Sequence, residues 1–566
     1  MKKLSLILLV VAAVMLLSGA AATVADADPA YDPFAPSGVT FSWDVVVNNG
    51  DLPPGSTTRT FNSYNQPSLN VARTVVFRAR TKGGPPLGQP VHGVFTRDMA
   101  SHGPLTRVFD RTTQVPQPDN LGKTFIEPPS FPRIDMWSDT VASRGNHQPV
   151  WRYLETSGGT TGIYTTPFGS LITGMSNLGA APGLGFFAVP DTDPAVKFDV
   201  FPGAPSVTDG DTLVFKGNFT EDGAAKTGVY YRDLTDAAIV LPDGTSISPA
   251  GGMAPAVRIA DTDTPIPGTK VPFGSTAPPS AAGRTAVFAG FDSEEAPTRG
   301  GIYLAQLTGP DPKLKTLVKI GQPVPDGKGA KFTRLGEGVS FDGRFVAFWG
   351  AWGSETRDLV LQCPTEGNAA RLAYCLEQYP NGFQTTVPVH QGIFVYDTFD
   401  ENLFAVATAP DDFSDFLYWN FSGRVPGTGE GGEGDTGEPA RWRSASFVAA
   451  SGLVDGRLDD ETWHVAFEAR TGEVVDGAYV DPTDGIYLAK GPGKSAIATV
   501  VRTGMDGTLI DPEAVAPLGG ATLLVTGTGL ERDGFRGDTL ALNVGMGTEE
   551  AGWAGIYLTS VPAAMR

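Results

Sequence analysis

The chain has 566 residues with 62 acidic against 42 basic side chains, a net charge of −20, and only two cysteines. That acidity argues against nucleic acid or an anionic membrane as partner, because a polyanion is repelled before contact. The length admits several ordinary domains or one repeat body and does not choose between them.

The N-terminus comes first. Lys2 and Lys3 precede an apolar run at 4–17, followed by small residues with A-x-A cleavage sites ending at Ala22 or Ala27. This pattern predicts a secretory signal peptide over 1–27. The run is shorter than the ~20 residues a membrane span needs. No comparable run follows, so the mature chain, 28–566, is expected to be one soluble, exported domain, extracellular or periplasmic, monomeric and without a membrane span.

From there the chain repeats. Gly93-Val94-Phe95 returns as Gly162-Ile163-Tyr164, Gly228-Val229-Tyr230, Gly301-Ile302-Tyr303, Gly392-Ile393-Phe394, Gly485-Ile486-Tyr487 and Gly555-Ile556-Tyr557, at spacings of 69, 66, 73, 91, 93 and 70 residues. A period near 70 is the size of a small sheet. Each copy sits in a longer frame, cleanest from Lys315 to Phe348: Leu317-Val318-Lys319-Ile320, a Gly/Pro/Asp stretch, Phe332, Ser340-Phe341-Asp342-Gly343, then Phe345-Val346-Ala347-Phe348. Short β-rich runs between such punctuation read as strand, turn, strand. Gly210, Gly283 and Gly343 each stand five residues before a strand phenylalanine, Phe215, Phe288 and Phe348. Fixed turn-to-core spacing is what a hairpin requires, since a slip of one residue turns the aromatic ring outward. The aromatic positions Phe215, Tyr230, Phe288, Tyr303, Phe348 and Tyr487 are therefore read as sheet-to-sheet core.

In the last repeat the same spacing suggests Gly520 with Val525, and the chain ends soon after Tyr557 with no fourth strand. The other end supplies the missing piece: Trp43-Asp44-Val45-Val46-Val47, followed by Phe61 and Pro67-Ser68-Leu69-Asn70, is the frame entered at its fourth strand. The expected fold is all-β, a seven-bladed β-propeller closed by pairing of an N-terminal strand with the C-terminal blade.

The segment Ser340–Phe348 with Gly392-Ile393-Phe394 resembles the WD40-like repeat of TolB-type propellers. The whole frame is closer still to the tandem-repeat family of exported bacterial proteins named for the pattern Asn-x-x-Gly-x-x-Ala-Phe. Serine replaces the asparagine at Ser280 and Ser340, and the second blade keeps a loose version around Gly145, Val150 and Trp151. The resemblance implies a propeller and export, and it transfers no catalytic residue.

Function is expected where the repeat is broken, because insertions on a ring project as loops. Two insertions stand out, at about 350–390 and 424–440. The first carries Trp349, Trp352 and Tyr379, the candidate ligand-binding residues, and both cysteines. Cys363 and Cys375 are twelve positions apart with no further ligand at zinc-like spacing, so a disulfide is expected, worth about 3 kcal/mol by loop closure. The second, Gly427 to Glu438, is rich in glycine and acid and is expected to be a flexible loop.

Turn carboxylates Asp191 with Asp193, Asp261 with Asp263 and Asp481 with Asp484 are of the kind a hard cation such as calcium would use, though turn aspartates usually bond their own backbone. The five histidines form no H-E-x-x-H pattern, and no G-x-S-x-G elbow is present. The expectation is a secreted binding or scaffold protein that uses one face of the ring toward a protein or glycan. The alternatives are a carbohydrate-active enzyme, a glycoside hydrolase or polysaccharide lyase acting at the central channel, and a structural envelope component.

Overall fold

The structure, a computed structural model, describes residues 39–83, 90–119, 122–147, 160–241, 243–248, 250–325, 327–365, 369–427, 437–453, 461–493, 496–517, 520–548 and 551–566. The expected signal peptide at 1–27, Val150 and Trp151, and most of the glycine- and acid-rich loop lie outside these residues.

Seven antiparallel sheets are arranged as the blades of a β-propeller. In the fourth blade, Ser275–Thr276 and Ser280–Ala282 are the two halves of a broken inner strand, and both pair with Thr285–Phe291. That second strand pairs with Gly300–Gln306, and the third with Leu314–Lys319. The other blades follow the same order of four, with inserted hairpins at Ile239–Val240 with Ser246–Ile247, Thr356–Leu361 with Phe383–Pro388, and Tyr418–Arg424 with Glu438–Ala445.

Every copy of the Gly-Ile-Tyr motif lies in a third strand, and the register explains its composition. In five of the seven blades the motif's aromatic residue stands opposite a second-strand aromatic, as Tyr303 opposite Phe288 and Tyr230 opposite Phe215. A phenylalanine at the start of the inner strand or just before it meets the ring edge-on: Phe273 lies 5.3 Å from Tyr303 at 86° and Phe332 lies 5.0 Å from Phe394 at 82°. All these rings are buried, each contributing about 1.5–3 kcal/mol by leaving water. The glycine is required by close approach of the fourth strand. A Cβ on Gly301 would sit 2.0 Å from the Val318 carbonyl oxygen. The turn glycines answer to a different need: Gly210, Gly283 and Gly343 have φ of 79°, 54° and 102°, a region that β-carbons disfavour.

At the chain ends, Trp43–Asn48 pairs antiparallel with Gly552–Ser560, with Trp43 opposite Thr559 and Asn48 opposite Gly555. It occupies the fourth-strand place of the seventh sheet, and a Cβ on Gly555 would sit 2.6 Å from the Val47 carbonyl oxygen, as Gly301 meets Val318. The Leu69 amide of the first blade donates to the Asp533 carbonyl of the seventh at 3.1 Å.

One sequence assignment is corrected here. Gly520 and Val525 are not the turn and core of the last hairpin, because Leu524–Gly529 is part of the inner strand of that blade. The turn is Gly537, φ 58°, five residues before Leu542, which stands opposite Tyr557. An aliphatic residue at the aromatic position hides the spacing.

The inner-strand serines of the repeat have a structural role at the hub. Ser68 Oγ donates to the Pro132 carbonyl at 3.1 Å, Ser206 to Pro279 at 3.2 Å and Ser280 to Val339 at 2.6 Å, tying the inner strands of the first, third and fourth blades each to the next. The short hydroxyl lets inner strands approach and satisfies their carbonyls.

Connections between second and third strands, and from a fourth strand to the next blade, emerge on one face of the ring. The hairpins at 356–388 and 418–445 and the long turn of Trp463–Val475 with Ala478–Gly491 all fall on it, as expected of insertions.

Candidate site at the channel mouth

The second blade places Arg133 at the inner-strand position where its neighbours carry serine. Arg133 pairs opposite Ala142 as Ser206 pairs opposite Val214. Its guanidinium is fully buried and donates to Ser206 Oγ at 2.9 Å, the Pro279 carbonyl at 3.0 Å and Glu531 Oε1 at 2.7 Å, with Asp533 Oδ2 at 3.5 Å. Asp533 is shared with Arg536 at 2.6 Å. One side chain thus bridges the inner strands of the second, third, fourth and seventh blades and fills the axis. Burial opposes the charge of Arg133, and Glu531 with Asp533 outweighs it, so the guanidinium is held charged. Arg532 is pulled down to about 10, by burial first and by Arg133 next.

Above this plug, on the insertion face, lies a cavity of about 430 Å3. Glu531 and Arg532 form its floor, and Phe291, Trp349, Trp419 and Phe447 give it apolar walls. Glu294 and Glu337 add carboxylates at its rim. Glu337 stands between the halves of the fifth blade's inner strand, in Gly336-Glu337-Gly338. Its carboxylate has no hydrogen bond or ion pair among the described residues, and water reaches it while protein surrounds it. Desolvation raises its pKa; Lys216 opposes that shift and Glu294 adds to it. A carboxylate so placed accepts hydrogen bonds from whatever enters.

The three aromatic residues singled out from the sequence are not brought together. Trp349 lines the cavity and its Nε1 donates to Gln391 Oε1 at 2.9 Å, while Gln391 Nε2 donates to Asp415 Oδ1 at 2.9 Å. Trp352 stacks on His390 at 6.1 Å and meets Phe394 edge-on, within the blade packing. Tyr379 belongs to the insertion's own small core, against Phe383 and Phe421, and its hydroxyl donates to the Ala440 carbonyl at 3.3 Å.

The expected disulfide is formed: Cys363 and Cys375 are bonded with their Cα atoms 5.9 Å apart, and Cys375 lies on the helix Ala369–Gln378. That helix is absent from the sequence reading, and of its ten residues only the cysteine is buried.

The turn aspartates are engaged locally. Asp261 accepts from the Asp263 amide and Thr264, Asp193 from the Ala195 amide, and Asp484 pairs with Arg470. No group of three or more His, Cys, Asp or Glu able to hold a metal occurs among the described residues.

The residues that sequence reasoning missed are Glu337, Glu294, Trp419, Glu531, Arg532 and Arg133. Only two left a signal: Arg133 at a serine position of the frame, and a glutamate between two glycines inside an inner strand.

No family model matches this sequence, and no curated protein matches it. Among solved structures, two levansucrase variants of B. megaterium are similar at 12% and 11% identity, covering 62% and 63% of this chain and 80% and 81% of theirs, with TM-scores of 0.21 and 0.22. The tricorn protease is similar at 11% identity over 89% of this chain and 59% of its own, with a TM-score of 0.14.

Proposed function

We propose that the protein is a binding propeller that holds a glycan in the blind cavity at the channel mouth, on the face that carries the insertions. The observation that carries this reading is the unpaired Glu337 carboxylate at a cavity walled by Trp349, Trp419 and Phe447. A sugar presents hydroxyl donors on its edges and C–H surfaces on its faces, and a pocket of apolar walls with a few convergent polar groups matches both. The disulfide in the insertion accords with an oxidising compartment, and export and the family resemblance belong to the same proposal.

The test is a glycan array followed by calorimetry on the hits. Glu337→Gln and Trp419→Ala are each expected to weaken binding about tenfold or more, since a hydrogen bond to a charged group and an aromatic face are each lost. Binding that survives both substitutions sinks the assignment of the cavity. Turnover of a bound glycan replaces the binding reading with that of a hydrolase or lyase.

A further inference from the structure

In all seven blades the second strand places one residue directly opposite the central Val or Ile of the motif. These are Arg78, Arg144, Lys216, Ala289, Trp349, Glu468 and Asn543, opposite Val94, Ile163, Val229, Ile302, Ile393, Ile486 and Ile556. The positions are equivalent by register, and their residues are not. Three consecutive blades supply cations. The others supply a small residue, an indole, an acid and an amide.

Two of these seven positions are tied to the channel mouth. Trp349 lines the cavity, and Lys216 lies within the field of Glu337 and Glu294 at its rim. Arg78 and Arg144 both lie within the field of Glu127. Beside Arg78 is an open cleft of about 150 Å3, lined also by Ser63, Asn65, Arg80 and His92.

These cations are poorly neutralised. The side chains of Arg144 and Lys216 have no hydrogen bond or ion pair among the described residues, and Arg144 Nε is buried without an acceptor. Arg78 donates to Asn65 Oδ1 at 3.1 Å and reaches Glu127 only at 3.9 Å. Desolvation lowers the pKa of all three, Arg144 to about 10. The half-buried His92 is depressed to about 4, by burial first and then by Arg78, Arg80 and Arg111. A chain of net charge −20 therefore keeps one under-compensated positive arc. A partly desolvated cation whose carboxylates stand off costs stability, so packing alone does not account for these charges. It provides counter-charge and donors to an incoming anion.

We propose that Arg78, Arg144 and Lys216 bind the anionic groups of a short acidic oligosaccharide that runs from the cavity toward the first blade. The sugar part of this proposal rests on the cavity being a glycan site. Three cations on successive blades match repeated charges better than one ion. The overall negative charge opposes long polyanions, so the ligand is short.

The experiment compares the mature protein with Arg144→Gln and Lys216→Met by calorimetry and thermal melting. The probes are a hexagalacturonate, a sulfated hexasaccharide, a neutral cellohexaose and inorganic sulfate. Each substitution is expected to weaken whichever acidic oligosaccharide binds by about tenfold or more, leave cellohexaose within twofold, and leave the melting temperature unchanged or higher. The carboxylate and sulfate probes distinguish the two kinds of anion. Unchanged affinity for acidic probes, or an equal loss for cellohexaose, overturns the arc. So does a lowered melting temperature with binding intact, which would make the cations structural. Sulfate binding that is lost in the variants while Trp419→Ala and Glu337→Gln change nothing leaves the arc standing and removes the glycan reading of the cavity. Binding of cellohexaose alone, insensitive to both cation substitutions, does the reverse.

Discussion

Two neighbouring layers of the ring differ although one residue separates them along the same strands. Opposite the motif's aromatic residue, the second strands carry Phe77, Ser143, Phe215, Phe288, Phe348, Phe467 and Leu542, mostly phenylalanine and all buried. One residue further on they carry Arg78, Arg144, Lys216, Ala289, Trp349, Glu468 and Asn543. Alternation along a strand sends these two sets to opposite sides of each blade. The regular set does the same task in every blade, which is packing. The irregular set differs from blade to blade, as expected of residues that build one site together.

The contrast is broken or sharpened by substitution. Its largest test removes the piece that makes the seventh sheet like the others: without residues 28–61 the third strand Gly552–Ser560 loses its outer partner, and Val46 and Val47, both fully buried, are lost from the core. Their burial alone represents roughly 3–6 kcal/mol, so the truncated protein is expected to melt far lower and to aggregate through the open edge. Unchanged melting would show that the N-terminal strand is dispensable.

Next comes a pair of adjacent residues. Phe215→Ala is expected to cost about 3–5 kcal/mol, by loss of burial and the cavity left behind. Lys216→Met is expected to cost nothing. Denaturant midpoints of the two variants decide, and similar losses would erase the distinction between the layers.

The disulfide ranks below these. Cys363→Ser with Cys375→Ser is expected to remove at most about 3 kcal/mol, confined to the insertion, because the closed loop lies wholly within it. Limited proteolysis should then cut within 356–388 while the ring's own transition stays in place. Loss of the whole fold on reduction would contradict this.

The smallest effect is at Glu468, an acid on the irregular layer. It is buried, accepts from the Leu530 amide at 2.9 Å, and has its pKa raised well above 4.5, chiefly by desolvation. The native state then holds a proton that the unfolded chain releases. Stability therefore falls as pH rises from about 4.5 toward the folded value. Glu468→Gln keeps an acceptor for Leu530 and carries no charge, so it is expected to raise the melting temperature at pH 8 and leave it unchanged at pH 4. An equal shift at both values would separate the effect from protonation.

Much of the fold was legible from residues close in sequence. The Gly-Ile-Tyr recurrence identified every third strand, because the glycine is set by close approach of the next strand and, in five blades, the aromatic residue by one on the preceding strand. The disulfide followed from there being two cysteines in one short insertion. The last blade was misread at Gly520 because Leu542 replaces the aromatic residue that marks the spacing elsewhere. Of the candidate site, the sequence yielded Trp349 and little more. Trp352 and Tyr379 shared its chemistry, yet they pack against Phe394 and Phe421, and Trp349 with Trp352 stands on the blade strand Phe345–Trp352 and not in the insertion as expected.

The sequence by itself determined the period, the strand order within a blade and the aromatic core, since each depends on hairpins whose partners are a few residues apart. Only the tertiary structure decided what stands at the axis and around its mouth. Arg133 meets Glu531 across 398 positions of chain, and the shared register of Arg78, Arg144 and Lys216 is set only when their strands pair within three separate blades. A ring gathers one residue from each repeat at distances of some 70 positions, and no local pattern records which of them will face a common space.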